Sequence, residues 1–199
     1  MTEKSMGSDH PIHNVTGVIL AGGRSSRFGS NKALALVGGK PLIQQIADLM
    51  SSLFPECLVV TNTPAEYKFL SLPMTHDRYQ GCGPLAGIHA ALLQISTPRA
   101  FVVACDMPNL SPELIRYLCN IEEQGYDAII PWLGKGQEPL FGVYHKRALE
   151  VINSCLQQND CQIIRALEKL QVRRVSEAEI IDITGDFACF KNINRPTDI

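Results

Sequence analysis

The chain has 199 residues, which at ~150 residues per domain corresponds to a single domain. Hydrophobic residues make up 45% of it and charged residues 19%, so the composition is that of a folded globular protein and excludes a wholly disordered chain. Because 18 Lys and Arg nearly balance 20 Asp and Glu, a general nucleic-acid-binding protein is disfavoured. No stretch approaches the ~20 apolar residues of a membrane span. We therefore expect neither a nucleic-acid partner nor a membrane partner.

Residues 1–14 are mostly polar and lack the apolar segment of a signal peptide. We expect them to form a flexible N-terminal extension, followed by one domain over residues 15–199, in a cytoplasmic protein. The seven cysteines agree with this location, since their number is odd and they form no C-x-x-C pair. We interpret them as buried structural thiols. A chain of this length buries enough surface to need no disulfide.

The predicted elements alternate between short apolar strands and amphipathic helices. Strands are predicted, in chain order, at residues 15–20, 57–61, 100–105, 127–131, 140–144, 172–175 and 180–183. Helices are predicted at residues 41–53, 84–95, from 111 onward, 147–156 and 161–170. This order predicts a single-domain, three-layer α/β/α fold with a mostly parallel, Rossmann-like sheet. Ligands of such sheets bind beyond the carboxyl ends of the strands, which directs attention to the residues after Leu20, Thr61 and Cys105.

The segment after the first strand combines glycines with basic side chains. It runs from Leu20 to Lys32 and contains three glycines together with Arg24 and Arg27. Glycines let the backbone approach a ligand closely, and successive N–H groups in such a turn can point at phosphate oxygens. We interpret the segment as a phosphate-binding loop, with a plain turn as the alternative. It is not a P-loop, because it lacks the closing G-K-[ST] sequence.

Polar residues follow the next two buried strands. Asp106 ends the third strand and is placed to hold a hard cation, although an aspartate that shapes the following turn is an equal alternative. Asn62 follows the second strand, and Asp77 lies in the loop beyond it; in isolation both are more typical of turns. The segment 81–86 formally fits the dinucleotide pattern G-x-G-x-x-A, but a polar stretch precedes it, so it predicts a turn that leads into a helix.

Taken together, these motifs resemble the molybdenum cofactor guanylyltransferase family of the nucleotidyltransferase superfamily. The resemblance extends from Val15 to Ile199, and its motifs are Leu20-Ala21-Gly22-Gly23, Ser26-Arg27-Phe28-Gly29, Lys32, Val60-Thr61-Asn62, Gly83-Pro84-Leu85-Ala86-Gly87, Cys105-Asp106-Met107-Pro108, Glu138-Pro139-Leu140 and Asn192-Ile193-Asn194. It implies transfer of GMP from GTP to the phosphate of Mo-molybdopterin, with release of pyrophosphate. The alternatives are a related nucleotidyltransferase that uses CTP or a sugar phosphate, and a non-catalytic nucleotide-binding homologue.

The resemblance also implies a role for individual residues. Asp106 would bind Mg²⁺, with Asn194 as a weaker second metal contact, and Lys32, Arg27 and Asp106 would act together in catalysis. The residues implied to bind GTP are Leu20, Ala21, Gly22, Gly23, Lys32, Asn62, Asp77 and Asp106. Proteins that insert molybdenum, and chaperones of molybdoenzymes, would be partners.

Two positions distinguish this chain within the resemblance. Gly22 stands where the cytidylyl branch of the family tends to carry alanine, and a glycine there leaves room for a purine beside the backbone. Glu138 stands where the family often has glutamine or histidine, which places a carboxylate in a region expected to face an anionic pterin.

Overall fold

The computed structural model of the protein describes residues 10–22, 31–122, 124–134 and 136–193. Its strands are β1 (Val15–Leu20), β2 (Leu36–Val37), β3 (Lys40–Pro41), β4 (Cys57–Val60), β5 (Met74–Thr75), β6 (Arg99–Ala104), β7 (Ala128–Leu133), β8 (Gly136–Gln137), β9 (Phe141–His145) and β10 (Val172–Val175). Its helices are α1 (Leu42–Leu53), α2 (Gly83–Gln94), α3 (Pro112–Asn120), α4 (Leu149–Gln157), α5 (Ile163–Glu168) and α6 (Glu177–Thr184). Short 3-10 segments occur at Lys32–Leu34, Pro64–Leu70, Lys146–Ala148 and Ala188–Phe190.

The main sheet has the strand order β10-β7-β9-β6-β1-β4-β5, with β8 paired to β7. β1 is parallel to both β4 and β6, and β4 is parallel to β5. β9 lies between β6 and β7 and runs antiparallel to both. The predicted fold, a mostly parallel sheet in a single α/β domain, is therefore confirmed.

The sheet separates two apolar cores. Helices α1, α3 and α6 pack on one face, and α2, α4 and α5 pack on the other. Successive β1 side chains point to opposite faces, so Ile19 joins the first core while Val18 and Leu20 join the second. Burial on both faces explains why this strand is one continuous apolar run. No helix in the described ranges is long and apolar enough to cross a membrane.

The strand predicted at residues 180–183 is wrong, because these residues belong to helix α6. The hydroxyl of Ser176 accepts a hydrogen bond from the Glu179 backbone N–H at 3.3 Å, and the Glu179 carboxylate accepts one from the Ser176 N–H at 2.9 Å. This reciprocal capping box satisfies two N–H groups at the start of the helix. Gly185, with φ of 76°, ends it in the left-handed conformation. The Ser-x-x-Glu spacing was the sequence signal for a helix.

The expectation of a flexible extension up to residue 14 is wrong for its described part. Ile12 is buried in the first core, and its N–H donates to the Leu53 carbonyl at 2.8 Å. The Arg116 guanidinium also donates to the His10 carbonyl. Residues 10–14 thus belong to the folded domain, whereas residues 1–9 lie outside the described ranges.

The interpretation of all seven cysteines as thiols is also wrong for one pair. Cys82, before α2, and Cys161, before α5, form a disulfide with their Cα atoms 4.8 Å apart, although 79 residues separate them in sequence. Cysteine spacing does not reveal such a pairing, because the fold brings distant residues together. Among the free cysteines, burial raises the pKa of Cys57 to about 11 and that of Cys119 to about 12, as expected for structural thiols.

Candidate active site

The carboxyl ends of four neighbouring strands lie level at one edge of the sheet. Leu20 at the end of β1 pairs with Val60 on β4 and Ala104 on β6, and Val60 pairs with Thr75 on β5. Since strands lie ~4.8 Å apart, the four ends span roughly 14 Å, which suits a ligand of nucleotide size. Two positions beyond these paired residues, the chain carries Gly22, Asn62, Asp77 and Asp106.

A cation from the glycine-rich segment meets the acid that follows β6. The Lys32 ammonium donates to Asp106 Oδ2 at 2.9 Å, and the two side chains are 14% and 25% exposed. The residues are 74 positions apart, so the fold and not the local sequence creates the pair. The structure thus brings together the two residues predicted to bind phosphate and metal, while their catalytic roles stay predictions.

The second carboxylate oxygen of Asp106 is left without a partner. Oδ1 is buried and accepts no hydrogen bond within the described residues. An unsatisfied buried acceptor is costly, and a hard cation is the ligand that best satisfies a carboxylate oxygen. No cluster of three or more His, Cys, Asp or Glu side chains suited to a metal occurs in the described part of the chain. Asp106 Oδ1 is therefore suited to bind a divalent cation.

Asn31 fixes the segment that carries Lys32. Its side-chain oxygen accepts from the Ala33 N–H at 3.1 Å and begins the 3-10 turn. Its amide donates to Glu66 at 2.6 Å and to the Tyr67 hydroxyl at 2.7 Å. An acid at this position would repel Glu66 and could not donate. The amide therefore suits this chain, and it ties Lys32 to the 3-10 segment Pro64–Leu70.

Asn62 and Asp77 form a reciprocal pair at the other end of the same sheet edge. The Asn62 amide donates to Asp77 Oδ2 at 3.0 Å, and the Asp77 backbone N–H donates to Asn62 Oδ1 at 3.1 Å. Burial raises the pKa of Asp77, while the Asn62 amide and His76 act in the opposite direction. The two predicted guanosine contacts are thus held as one unit, although their role stays a prediction.

Gly87 in α2 permits the close packing behind this pair. A Cβ at residue 87 would lie 3.2 Å from Leu20 Cδ2 and 3.7 Å from Asp77 Oδ1. A Cβ at this position would press against the Leu20 side chain and would be in ordinary van der Waals contact with Asp77, so glycine lets the helix lie close to both residues. Sequence reasoning quoted Gly87 as part of a motif but gave it no function, since its neighbours come from distant parts of the chain.

Gly22 has no structural requirement for glycine within the described residues. A Cβ built on it meets no atom within 4 Å, and its φ lies outside the left-handed region. Leu20 and Ala21 precede it as buried residues, and the Ala21 N–H is bonded to the Val60 carbonyl at 2.9 Å. The predicted site residues Gly23, Arg27 and Asn194 lie outside the described ranges. The last described residue, Ile193, donates its N–H to the Asp106 carbonyl at 2.9 Å.

A separate cavity of about 810 Å³ lies between α2 and α4. His89, Lys146 and Asn153 are among the side chains that line it, and none of the predicted site residues does. The candidate active site is therefore located by its chemical groups and by the sheet topology, and not by this cavity.

Comparison with known proteins decides the family. Residues 17–174 match the family model of the MobA-like NTP transferase domain. The chain belongs to this family. A probable molybdenum cofactor guanylyltransferase of Pelotomaculum thermopropionicum is 38% identical to it, over 92% of this chain and 89% of that protein. A molybdenum cofactor guanylyltransferase of Desulfosudis oleivorans is 37% identical, over 93% and 92% of the two chains.

A solved structure places the MobA-like chain among proteins of the same architecture. The crystal structure of molybdopterin-guanine dinucleotide biosynthesis protein A from Archaeoglobus fulgidus superimposes with a TM-score of 0.81 at 30% sequence identity, covering 92% of this chain and 94% of that one. The resemblance inferred from the motifs is thereby confirmed: this MobA-like protein is a nucleotidyltransferase whose relatives carry the guanylyltransferase name.

Proposed function

We propose that the protein transfers GMP from GTP to the phosphate of Mo-molybdopterin, which yields the molybdopterin guanine dinucleotide cofactor and pyrophosphate. Two relatives, which match this chain over nearly their whole length, bear the name of this activity. The structural observation that carries the proposal is the Lys32–Asp106 pair at the carboxyl edge of the sheet. Within the part of the chain that the structure describes, the buried Asp106 Oδ1 has no hydrogen-bond partner.

The reaction needs positioning and charge neutralisation more than proton transfer. The acceptor is a phosphate monoester, which is already anionic near neutral pH and can attack the α-phosphorus of GTP directly. A new oxygen–phosphorus bond forms as the bond to the β-phosphate oxygen breaks, and pyrophosphate leaves. Lys32 would donate to phosphate oxygens whose charge grows in the transition state, and the backbone at Gly22 would approach the nucleotide.

Asp106 would hold Mg²⁺ through Oδ1, the oxygen that has no partner among the described residues. Bound there, the cation would supply neutralisation of phosphate charge. Oδ2 would keep the Lys32 ammonium close to the same phosphates, because the two groups are already 2.9 Å apart. Arg27 is proposed as a further cation, and Asn194 as a second metal contact.

Guanine would be read by Asp77, supported by Asn62. A carboxylate only accepts hydrogen bonds, and guanine presents two donors side by side, the ring N1–H and the 2-amino group. Cytosine presents an acceptor beside its amino group and would leave the carboxylate unsatisfied. The Asn62 amide occupies one lone pair of Asp77 Oδ2 and holds the side chain in place.

A panel of GTP, CTP, ATP and UTP with Mo-molybdopterin, followed by pyrophosphate release, tests the proposal. We expect kcat/KM for GTP to exceed that for each other nucleotide by at least about tenfold, because a mismatched base leaves buried polar groups unpaired. Faster consumption of CTP would instead support a cytidylyltransferase. Nucleotide binding without pyrophosphate release would indicate a non-catalytic homologue.

The variant Gly22→Ala sharpens the same experiment. Its Cβ has open space, so its thermal unfolding should match that of the wild type. We expect kcat/KM for GTP to fall about tenfold, while that for CTP stays within about twofold, because the methyl group occupies space needed by the larger base. An equal loss for both nucleotides would contradict this account of base selection.

We also propose partners and a location that follow from the reaction. Proteins that insert molybdenum would supply the acceptor, and chaperones of molybdoenzymes would receive the product. Because GTP and Mg²⁺ are available in the cytoplasm, we propose a cytoplasmic location for the protein. The Cys82–Cys161 disulfide is unusual for that compartment.

A further inference from the structure

Glu138 lies at the active-site edge of the sheet, on the side of Asp106 away from Asp77. β9 runs antiparallel beside β6, so the start of β9 adjoins the end of β6. Phe141 pairs with Val103, and the Ala104 N–H donates to the Leu140 carbonyl at 3.2 Å. Glu138 lies two residues before Leu140, just as Asp106 lies two residues after Ala104.

The backbone around Glu138 is firmly held. Its N–H donates to the Pro131 carbonyl at 3.0 Å, and its own carbonyl accepts from the Phe141 N–H at 3.1 Å. The buried Tyr144 hydroxyl donates to the Pro139 carbonyl at 2.7 Å. The side chain of Glu138 is therefore presented from a fixed turn and not from a loose loop.

The carboxylate of Glu138 has nothing to accept from in the described protein. The side chain is half-buried, and no hydrogen bond or ion pair to its oxygens occurs within the described residues. Burial raises its pKa. Neither oxygen is a fully buried atom without a partner, so both are open to water and to a ligand that supplies donors.

The acceptor of the proposed reaction has two chemically different ends. A carboxylate repels the phosphate end, so a contact between Glu138 and the acceptor would involve the other end. That end is a 2-amino-4-oxopyrimidine ring, which presents N3–H and a 2-amino group side by side. We propose that the Glu138 carboxylate accepts hydrogen bonds from this edge of the pterin and determines acceptor specificity, an inference that rests on the proposed function.

The arrangement of acids along the sheet edge supports this assignment. Guanine has the same pair of donors as the pterin, on an equivalent 2-aminopyrimidinone edge. Asp77 lies three strands from β6 on one side, and Glu138 adjoins β6 on the other, with the Lys32–Asp106 pair between them. The product joins guanine and pterin through a central pyrophosphate. One carboxylate at each end and a cation near the middle match that order of groups.

Steady-state kinetics of the wild type and of Glu138→Ala test the proposal. Alanine removes both acceptor oxygens of the side chain and leaves the backbone of the turn in place. At saturating GTP, we expect the KM for Mo-molybdopterin to rise about tenfold or more. The KM for GTP and the Mg²⁺ concentration for half-maximal rate should stay within about twofold. Glu150→Ala, at an exposed position of α4, is the matched control and should behave as the wild type.

Competitive inhibition gives a second readout, the ratio of two inhibition constants, in addition to the KM for the acceptor. We expect 6-hydroxymethylpterin to inhibit the wild type at least about tenfold more strongly than 6-hydroxymethyl-lumazine, in which oxygen replaces the 2-amino group. In Glu138→Ala the preference should shrink to about threefold or less. Both inhibitors compete with the acceptor, so the ratio reports on the pterin edge.

Three results would overturn the assignment of Glu138: an unchanged acceptor KM in Glu138→Ala, an unchanged preference between the two inhibitors, or a raised Mg²⁺ requirement in place of a raised acceptor KM. The last would make Glu138 part of the metal site. Failure of the wild type to form any dinucleotide from GTP would instead refute the proposed function, so the two failures are distinguishable.

Discussion

Replacement of Asp106 by alanine is expected to lower the rate of pyrophosphate release about a thousandfold or more. The substitution removes the unpartnered Oδ1, which is the proposed Mg²⁺ ligand, and the oxygen that orients Lys32. Loss of one preorganised electrostatic contact typically costs a factor of ~10²–10³, and here two are lost together. The measurement is single-turnover pyrophosphate release at saturating GTP and Mg²⁺.

Asp48→Ala is the matched control for this experiment. Asp48 is also an aspartate paired with a lysine, Lys40, but both side chains are 48% exposed and lie outside the site. It should retain wild-type turnover. Electron paramagnetic resonance with Mn²⁺ and GTP should show weakened metal binding only in the Asp106 variant. If Asp106→Ala has close to wild-type turnover and wild-type thermal unfolding, Asp106 is not part of the metal site.

Replacement of Lys32 by methionine is expected to lower kcat/KM for GTP at least about a hundredfold. Methionine keeps an apolar stem of similar length but removes the ammonium, which the proposal places on the phosphates. Binding and chemistry should both suffer, so KM for GTP should rise and kcat should fall. Stopped-flow measurement of nucleotide binding, combined with single-turnover chemistry, separates the two effects.

Lys40→Met serves as the control, since Lys40 is the exposed partner of Asp48. Lys32→Arg should recover part of the binding, because the charge returns, but less of the rate, because a guanidinium has a different shape. If Lys32→Met changes only KM and leaves kcat intact, Lys32 binds the ground state alone and takes no part in the transition state.

The fold was predictable where the signal was local. β1 and residues 100–104 of β6 are mostly apolar because both faces of these strands are covered by helices. The Ser111-Pro112 start of α3 was evident, and the Ser111 hydroxyl does accept from the Leu114 N–H at 3.2 Å. Such signals depend on a few adjacent residues, and a single sequence contains them.

The errors came from competing or long-range signals. The apolar residues at 180–183 resemble a short strand, but the capping box formed by Ser176 and Glu179 begins a helix just before them. Ile12 is buried with its N–H bonded to the carbonyl of Leu53, which lies 41 positions later in the chain. The disulfide between Cys82 and Cys161 likewise joins distant segments, which no local pattern encodes.

For the candidate site, the sequence identified the side chains, and the structure added the distances and hydrogen bonds between them. The composition of the first loop and the position of Asp106 after a buried strand pointed to a cation and an acid. Only the fold brings Lys32, in the 3-10 segment Lys32–Leu34, to 2.9 Å from Asp106, whose Oδ1 has no partner within the described residues. The packing role of Gly87 depends on atoms of Leu20 and Asp77 and was likewise beyond a single sequence.

A crystal structure with Mg²⁺ and a non-hydrolysable GTP analogue is the most direct test of the central claim. We expect the cation on Asp106 Oδ1, phosphate oxygens within hydrogen-bond distance of the Lys32 ammonium, and guanine beside Asn62 and Asp77. A nucleotide bound in the cavity between α2 and α4, or one whose phosphates contact neither Lys32 nor a cation on Asp106, would contradict the account.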